Sequence, residues 1–317
     1  MRLPAIRSFG PTLWGIGVFL IVLAGTAPWI PAFLLTVLIQ LLIFATLAYS
    51  MNLITGLTGY VSFGHVVFMA FGGYALGFGV GTLNLHPVAG VALGAVVGLA
   101  LAMGIGVVTL RFRGVYFAIA TLVVAVAALY IVLEVKELGD GQGIYLSPEK
   151  LGFEPLSWFY TIWVILAIEV GLTYWITHGR IGYGIRSIKS DEDAAKTVGV
   201  NAARVKLFLF ALSGLFAGGA GGVYYWTLSG VFPYQAFDLI FSLQMLAMIV
   251  IGGMGTLLGP LIGAVAVYIP SYIFLTVLSG FQFIIIGVVV IVIALFVPEG
   301  IVGSLRKYIP ELRGILE

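Results

Sequence analysis

The residues of this chain with a capacity for chemistry are few. Most of them sit in one run, Ser190-Asp191-Glu192-Asp193-Ala194-Ala195-Lys196-Thr197-Val198-Gly199, inside a wider charged stretch, 178–206. The chemistry on offer is docking, not bond-making. Ser190 is a good N-cap, and Asp193 three residues later completes an S-x-x-D capping pattern. Asp191, Glu192 and Asp193 put negative charge on the first turn, where the helix dipole favours it, and Lys196 falls near the end. Gly199 stands where a left-handed residue would stop the helix. The spacing therefore predicts a capped helix of about eight residues, ~12 Å long. A helix that short is unstable in isolation, so it must dock. Ala194, Ala195 and Val198 give it a narrow face of small residues, suited to a groove on a partner. The plainer alternative is a solvated helix that only joins two spans.

Two glycine-rich breaks are the next candidates, Gly56-Leu57-Thr58-Gly59-Tyr60-Val61-Ser62-Phe63-Gly64-His65 and Gly252-Gly253-Met254-Gly255-Thr256-Leu257-Leu258-Gly259-Pro260. Both read as interruptions at membrane depth. Non-helical backbone survives there only when buried in protein or facing a water-filled cavity. Paired interruptions mark substrate routes in transporters, although close helix packing also recruits glycine. His65 reads either as a packing residue or as a proton relay. Glu169 is the one acid well inside an expected span, and a charge there costs on the order of 3 kcal/mol. It must be protonated, paired or facing a cavity.

Catalytic constellations are missing from the sequence. There is no Gly-Lys dipeptide and so no Walker A loop, no H-E-x-x-H and no G-x-S-x-G. His65, His86 and His178 are too scattered to suggest a metal site. The sequence contains no cysteine, which excludes disulfides and thiolate ligands.

The elements that must position these residues are set by composition. The chain has 317 residues, of which 61% are hydrophobic and 9% charged, against about 25% charged in a soluble domain. Its mean hydropathy is +1.16. No Asp, Glu, Lys or Arg occurs from Ser8 to Leu110, enough chain for several bilayer crossings at ~20 residues each. The apolar runs lack the period-2 alternation of a membrane β-barrel. The expected fold is all-α, a single transmembrane domain over 1–317 with about ten helices. The expected spans run from about Leu13 to Ile30, Phe33 to Leu53, the first break to Thr82, Val88 to Leu110, Val115 to Leu133, Trp158 to Thr177, Leu207 to Leu228, the Asp238 turn to Ile251, Leu261 to Leu278 and Phe281 to Val297. The first is expected to be an uncleaved helix, despite a signal-like pattern in the first thirty residues. Of fifteen Lys and Arg residues, only Lys136 and Lys150 fall on the side opposite the termini. The positive-inside rule makes both termini and the 178–206 loop cytoplasmic, and 134–157 the external loop.

Four segments resemble the membrane permeases of branched-chain amino acid ABC importers, the LivM/LivH type. Asn52 to His65 is similar to the family's N-L-x-x-G-x-x-G-x-x-S-x-G-H signature. Arg113-Gly114-Val115-Tyr116-Phe117-Ala118-Ile119-Ala120-Thr121-Leu122 is similar to the R-G-x-Y-F-A-x-x-T-L segment of the LivM branch. Gly182 to Lys206 resembles the cytoplasmic coupling segment, and Ile251 to Pro260 resembles I-G-G-x-G-[ST]-x-x-G-P. The external stretch Gly139-Asp140-Gly141-Gln142-Gly143-Ile144 departs from the family's T-G-G-x-x-G-like loop.

The resemblance implies a permease subunit in the cytoplasmic membrane of a prokaryote. It would be partnered by a second, LivH-type permease, two ABC ATPase subunits, an external substrate-binding protein and the bilayer, with no nucleic acid. ATP and magnesium would be bound by the ATPase partners, and no cofactor by this chain. Ser190, Asp191, Glu192, Asp193, Ala194, Ala195 and Gly199 would form the coupling helix, with a larger side chain at Ala194 or Ala195 holding it out of a partner's groove. Gly56, Gly59, Ser62, Gly64, His65, Glu169, Gly252 and Gly253 would line or flank the path. The implied cargo is a branched-chain or other hydrophobic amino acid. The alternatives are urea or a short amide on the same machine, and an ion-driven secondary transporter in which Glu169 takes part.

Overall fold

The computed structural model describes residues 11–139, 141–146, 152, 154–277 and 300–308. Helix α1 spans Pro11–Thr26 and ends in a 3-10 turn, Ala27–Trp29, that carries the expected proline stop. Helix α2 spans Ala32–Met51 and continues through one π-helical turn, Asn52–Gly56. Then come α3 (His65–Gly81), α4 (Pro87–Thr109) and α5 (Val115–Glu134). Proline at the first position of α4 lacks only a donor that would have been unpaired anyway, and the ring of His86 accepts from Val88 N to cap it. Strand β1 (Ile144–Tyr145) precedes α6 (Pro155–His178), the amphipathic α7 (Arg180–Ser190) and the short α8 (Glu192–Thr197). The chain continues with α9 (Ala202–Leu228), β2 (Gly230–Val231), α10 (Pro233–Ala236), α11 (Leu239–Gly252), α12 (Gly259–Val277) and α13 (Gly300–Tyr308).

This is a polytopic helical membrane protein. Six of the described helices are long and apolar enough to cross a bilayer, and shorter apolar helices lie over Leu13–Trp29, His65–Gly81 and Gly259–Ile273. The expected spans one to nine fall on described helices, except that Leu278, the last residue of the ninth, lies outside the described residues. The tenth, Phe281 to Val297, lies outside the described residues, as do Arg2, Arg7, Asp140, Lys150 and Arg313 from the charge count.

The core is the crossing of α9 with α3 and α4, and its closeness depends on glycine. A Cβ on Gly72 would run into the Gly218 carbonyl, and one on Gly98 into the Gly214 carbonyl. Backbones that touch this closely gain van der Waals contact where lipid offers no hydrophobic driving force. Phe68, Phe210 and Phe117 pack edge to face beside this crossing. At the far end of the bundle, β1 pairs antiparallel with β2 (Ile144 with Val231, Tyr145 with Gly230), a small ladder that the reading of 134–157 as an external loop did not include.

The two glycine-rich breaks join consecutive helices, as the expected span bounds placed them. The first is the connection between α2 and α3, and the second connects α11 to α12. Hydrogen bonds tie the first to the charged segment at one end of the bundle, and the second to the end of α2 and its π turn. Their non-helical backbone is packed into protein in part: Tyr60, Ser62 and Gly64 are buried in the first and Gly253 and Leu257 in the second, while Gly59 and Met254 are exposed.

Candidate coupling site at the charged end

Helix α8 begins one residue later than its sequence suggests. Asp191, not Ser190, is the N-cap: its backbone is extended, and its Oδ1 accepts from Asp193 N at 2.8 Å and Ala194 N at 3.0 Å. Ser190 is the last residue of α7, where its hydroxyl donates to Arg186 O at 3.1 Å. A charged carboxylate accepts more strongly from amides than a hydroxyl does, so the break falls at Asp191. The helix is six residues long, Glu192–Thr197. Gly199, at φ +87°, turns the chain, and Val200 N donates back to Ala195 O.

The face of small residues is divided. Ala195 is 1% exposed and packs with Ile188 and Ala202, flanked by Val200 and Val205. It therefore docks α8 on its own chain and is not presented to a partner. Ala194 and Val198 point outward, Val198 being 74% exposed. Beside Val198 an open groove of about 480 Å³ runs along α7, lined among others by Ile181, Tyr183, Gly184 and Val200.

An ionic hub holds α8 from three directions. Glu192 accepts from the phenol of Tyr60, in the first break, and from Lys206 Nζ at 2.9 Å, at the base of α9. Lys206 also donates to Tyr60 Oη at 2.9 Å and lies 4.1 Å from the centre of that ring. Lys196 reaches Glu192 at 3.3 Å from within α8, and Arg113, before α5, clasps Asp193 with two bonds of 2.9 and 3.0 Å. Burial would raise the Glu192 carboxyl, but the hydrogen bonds from Tyr60 and Lys206 outweigh it and hold it down at about 2. The Arg113 clasp likewise lowers Asp193. Burial, then the bond to Glu192, holds the Tyr60 phenol above its usual range. With Lys206 only 2% exposed, a charge at the base of an apolar helix is tolerated only because its partners are in place.

The two breaks are joined to each other. Asn52 Oδ1 accepts from Gly255 N at 2.8 Å while its Nδ2 donates to Thr256 O at 3.2 Å. Tyr49 Oη donates to Leu257 O at 2.6 Å. A Cβ on Gly56 would stand 2.7 Å from Gly255 N, and one on Gly255 (φ +80°) 2.6 Å from Gly56 O. No side chain fits between them. Lys189, the penultimate residue of α7, donates to Gly56 O at 2.8 Å. At the other end of the first break, Phe63 N donates to Thr121 Oγ1 at 3.1 Å. The four sequence segments singled out above thus converge on one end of the bundle.

The remaining candidates are distributed. Gly59 takes φ +81° in the first break, and Gly64 packs on Thr121, whose carbonyl a Cβ would approach to 2.9 Å. Gly252 and Gly253 sit at the end of α11, with Gly253 at φ +124°. His65 opens α3, fully buried between Phe68 and Phe210. Neither ring nitrogen of His65, neither oxygen of Glu169, nor Ser62 Oγ has a hydrogen-bond partner among the described residues. Glu169 is fully buried on α6, and no described bond joins it to the hub. Among the described residues, no group of three His, Cys, Asp or Glu could hold a metal ion.

Sequence reasoning missed Asn52, Tyr60, Arg113, Lys189 and Lys206 as partners. The signal available was Lys206 itself, a cation inside the first turns of an apolar helix, which requires an acid nearby.

A model of the family described as "Branched-chain amino acid transport system / permease component" matches residues 33–295. The high-affinity branched-chain amino acid transport system permease protein LivM of Escherichia coli K12 is 24% identical over 306 residues, covering 86% of this chain and 70% of that protein. The ribose import permease protein RbsC of the same organism is 25% identical over 232 residues, 66% of this chain and 71% of its own. A probable LivH permease of Methanocaldococcus jannaschii is 27% identical over 162 residues, 49% of this chain and 50% of its own. No solved structure matches.

Proposed function

Because the chain belongs to the family of permease components of branched-chain amino acid transport systems, we propose that it is the membrane subunit of an ATP-driven importer in a prokaryotic cytoplasmic membrane. Its cargo is an amino acid, branched-chain or otherwise hydrophobic. The observation that carries this reading is α8: a capped helix with a solvent-facing Ala194–Val198 edge, braced from behind by Glu192, Lys206, Tyr60 and Arg113. A helix pinned to three other elements transmits force; a loose loop helix would need no such bracing. The partner that pushes on it is an ATPase subunit, bound on the side of the termini, which are cytoplasmic. A second permease of LivH type, a second ATPase and an external binding protein complete the assembly. ATP and magnesium belong to the ATPase partners.

The match to a ribose permease favours a second reading of the cargo, in which the same scaffold serves a sugar. Tagged purification in mild detergent with mass spectrometry tests the machine, and uptake of labelled leucine, ribose and urea into cells tests the cargo. An ATPase and a second permease are expected to co-purify, with leucine uptake that depends on this chain. A chain that purifies alone and moves substrate down an ion gradient would overturn the proposal and return attention to Glu169.

A further inference from the structure

Helices α7 and α8 are packed onto the base of α9, where Ile188, Ala195 and Ala202 share one buried apolar contact. Lys189 follows Ile188 directly and leaves this body in another direction. Its ammonium crosses to the first break and donates to Gly56 O at 2.8 Å. That carbonyl is also the point where the two breaks meet: it would lie 2.6 Å from a Cβ on Gly255, and Lys189 Nζ would lie 3.0 Å from the same Cβ. Lys189 therefore sits at the seam itself. Gly56 O receives no amide from Tyr60 in the regular i+4 register, since the chain leaves the helix after Thr58. A charged donor is among the stronger hydrogen bonds available to such a carbonyl.

We propose that Lys189 is a positioning residue for coupling: it carries displacement of α8 to the Gly56–Gly255 seam and holds that seam shut when α8 is at rest. The inference rests on the permease reading above for what displaces α8, but the seam itself can be tested without any partner. Tilting α7 by the movement of Ala195 draws the ammonium away from Gly56 O. The Asn52 bonds to Gly255 and Thr256 and the Tyr49 bond to Leu257 O then remain as the described side-chain links across the seam. Tyr60 and Lys206 grip α8 at its other side, so the helix has one anchor on the near part of the first break and one, through Lys189, on its far part.

The absence of cysteine from the sequence provides a clean probe. Thr58, two residues beyond Gly56, is 4% exposed, so Thr58→Cys places a buried thiol within the first break. The full chain carrying Thr58→Cys is alkylated with a small maleimide in three backgrounds: the natural lysine, Lys189→Met and Lys189→Arg. Lys189→Met is expected to speed modification at least fivefold, and Lys189→Arg, whose guanidinium can still reach the carbonyl, to return it to near the starting rate. Equal rates in all three backgrounds, or an arginine variant no slower than methionine, would overturn the proposal. In the assembled importer, Lys189→Met should keep its co-purifying ATPase and its ATP turnover while leucine uptake per ATP falls about tenfold. Unchanged uptake per ATP would overturn the transmission role. Should no ATPase co-purify even with the unaltered chain, the permease reading fails, and the alkylation result still decides whether Lys189 closes the seam.

Discussion

Lys206 Nζ lies 2.9 Å from Glu192 Oε2, and this pair fastens the short helix α8 to the base of the most deeply packed span among the described helices. The two residues are 14 apart in sequence, yet the loop between them turns through Gly199 to bring them together. Lys206 is 2% and Glu192 14% exposed at the side chain, so each is costly to leave alone. Replacing Lys206 with Met should destabilise the docked α8 by about 3 kcal/mol, because removing one partner strands a buried charge. Joint replacement with Glu192→Leu should recover most of the loss. Limited trypsin digestion at Lys196 and Arg204 reads the difference: fast for the single variant, slow for the natural chain and the double variant.

The hub should also carry a pH signature. The folded-state carboxyl of Glu192 is held at about 2, below the ordinary glutamate value of about 4.3. Stability from this group is therefore complete above about pH 4 to 5 and is lost as pH falls toward 2. Asp193 is shifted in the same direction by Arg113. Hydrogen exchange of the α8 amides, corrected for intrinsic rates, should accelerate through that acid window in the natural chain. Glu192→Gln should remove most of the step.

Ala195 and Val198 separate two kinds of damage. Ala195 is enclosed by Ile188 and Ala202, so Ala195→Trp overpacks the chain itself, at a cost of about 1–3 kcal/mol. Val198 is exposed, and Val198→Trp should leave thermal stability unchanged while abolishing uptake. Thermal melting of the purified chain, alongside leucine uptake, checks both halves.

The fold was legible in sequence to the extent that hydropathy governs it. Apolar runs placed the spans that fall on described helices. Gly199 was readable as a helix stop because its neighbours left no other role for it. The N-cap was not, because Ser190 and Asp191 are both good caps and only the extended backbone at Asp191 selects between them. The partners of the glycine breaks were hidden for a related reason. Glycine, threonine and serine suit an unwound membrane segment and a tight buried turn equally well, and the Lys189 and Tyr60 contacts that distinguish them are 133 and 132 residues distant. Periodicity carries no information at that range. The inward face of Ala195 was concealed likewise, since a six-residue helix has too few turns to declare an apolar side.

Glu169 offers a test of the ion-driven alternative. Both its oxygens lie buried without a described hydrogen-bond partner, an environment that penalises a charge heavily. Glu169→Gln, which keeps shape and removes the charge, should leave insertion, yield and leucine uptake close to those of the natural chain. Loss of uptake with normal insertion would make this carboxyl part of the transport step.

Whether the exposed edge of α8 is where an ATPase pushes is decided most directly by cross-linking. Val198→Cys in the cysteine-free chain, and Tyr145→Cys at the opposite end of the bundle as its counterpart, would each be treated with a short thiol-to-amine cross-linker in native membranes. The expected result is an adduct between the thiol introduced at position 198 and a co-purifying ATPase, with a yield that changes when ATP is added, and no adduct from position 145. An ATPase adduct at both positions, or at neither while the ATPase still co-purifies, would rule out α8 as the docking edge.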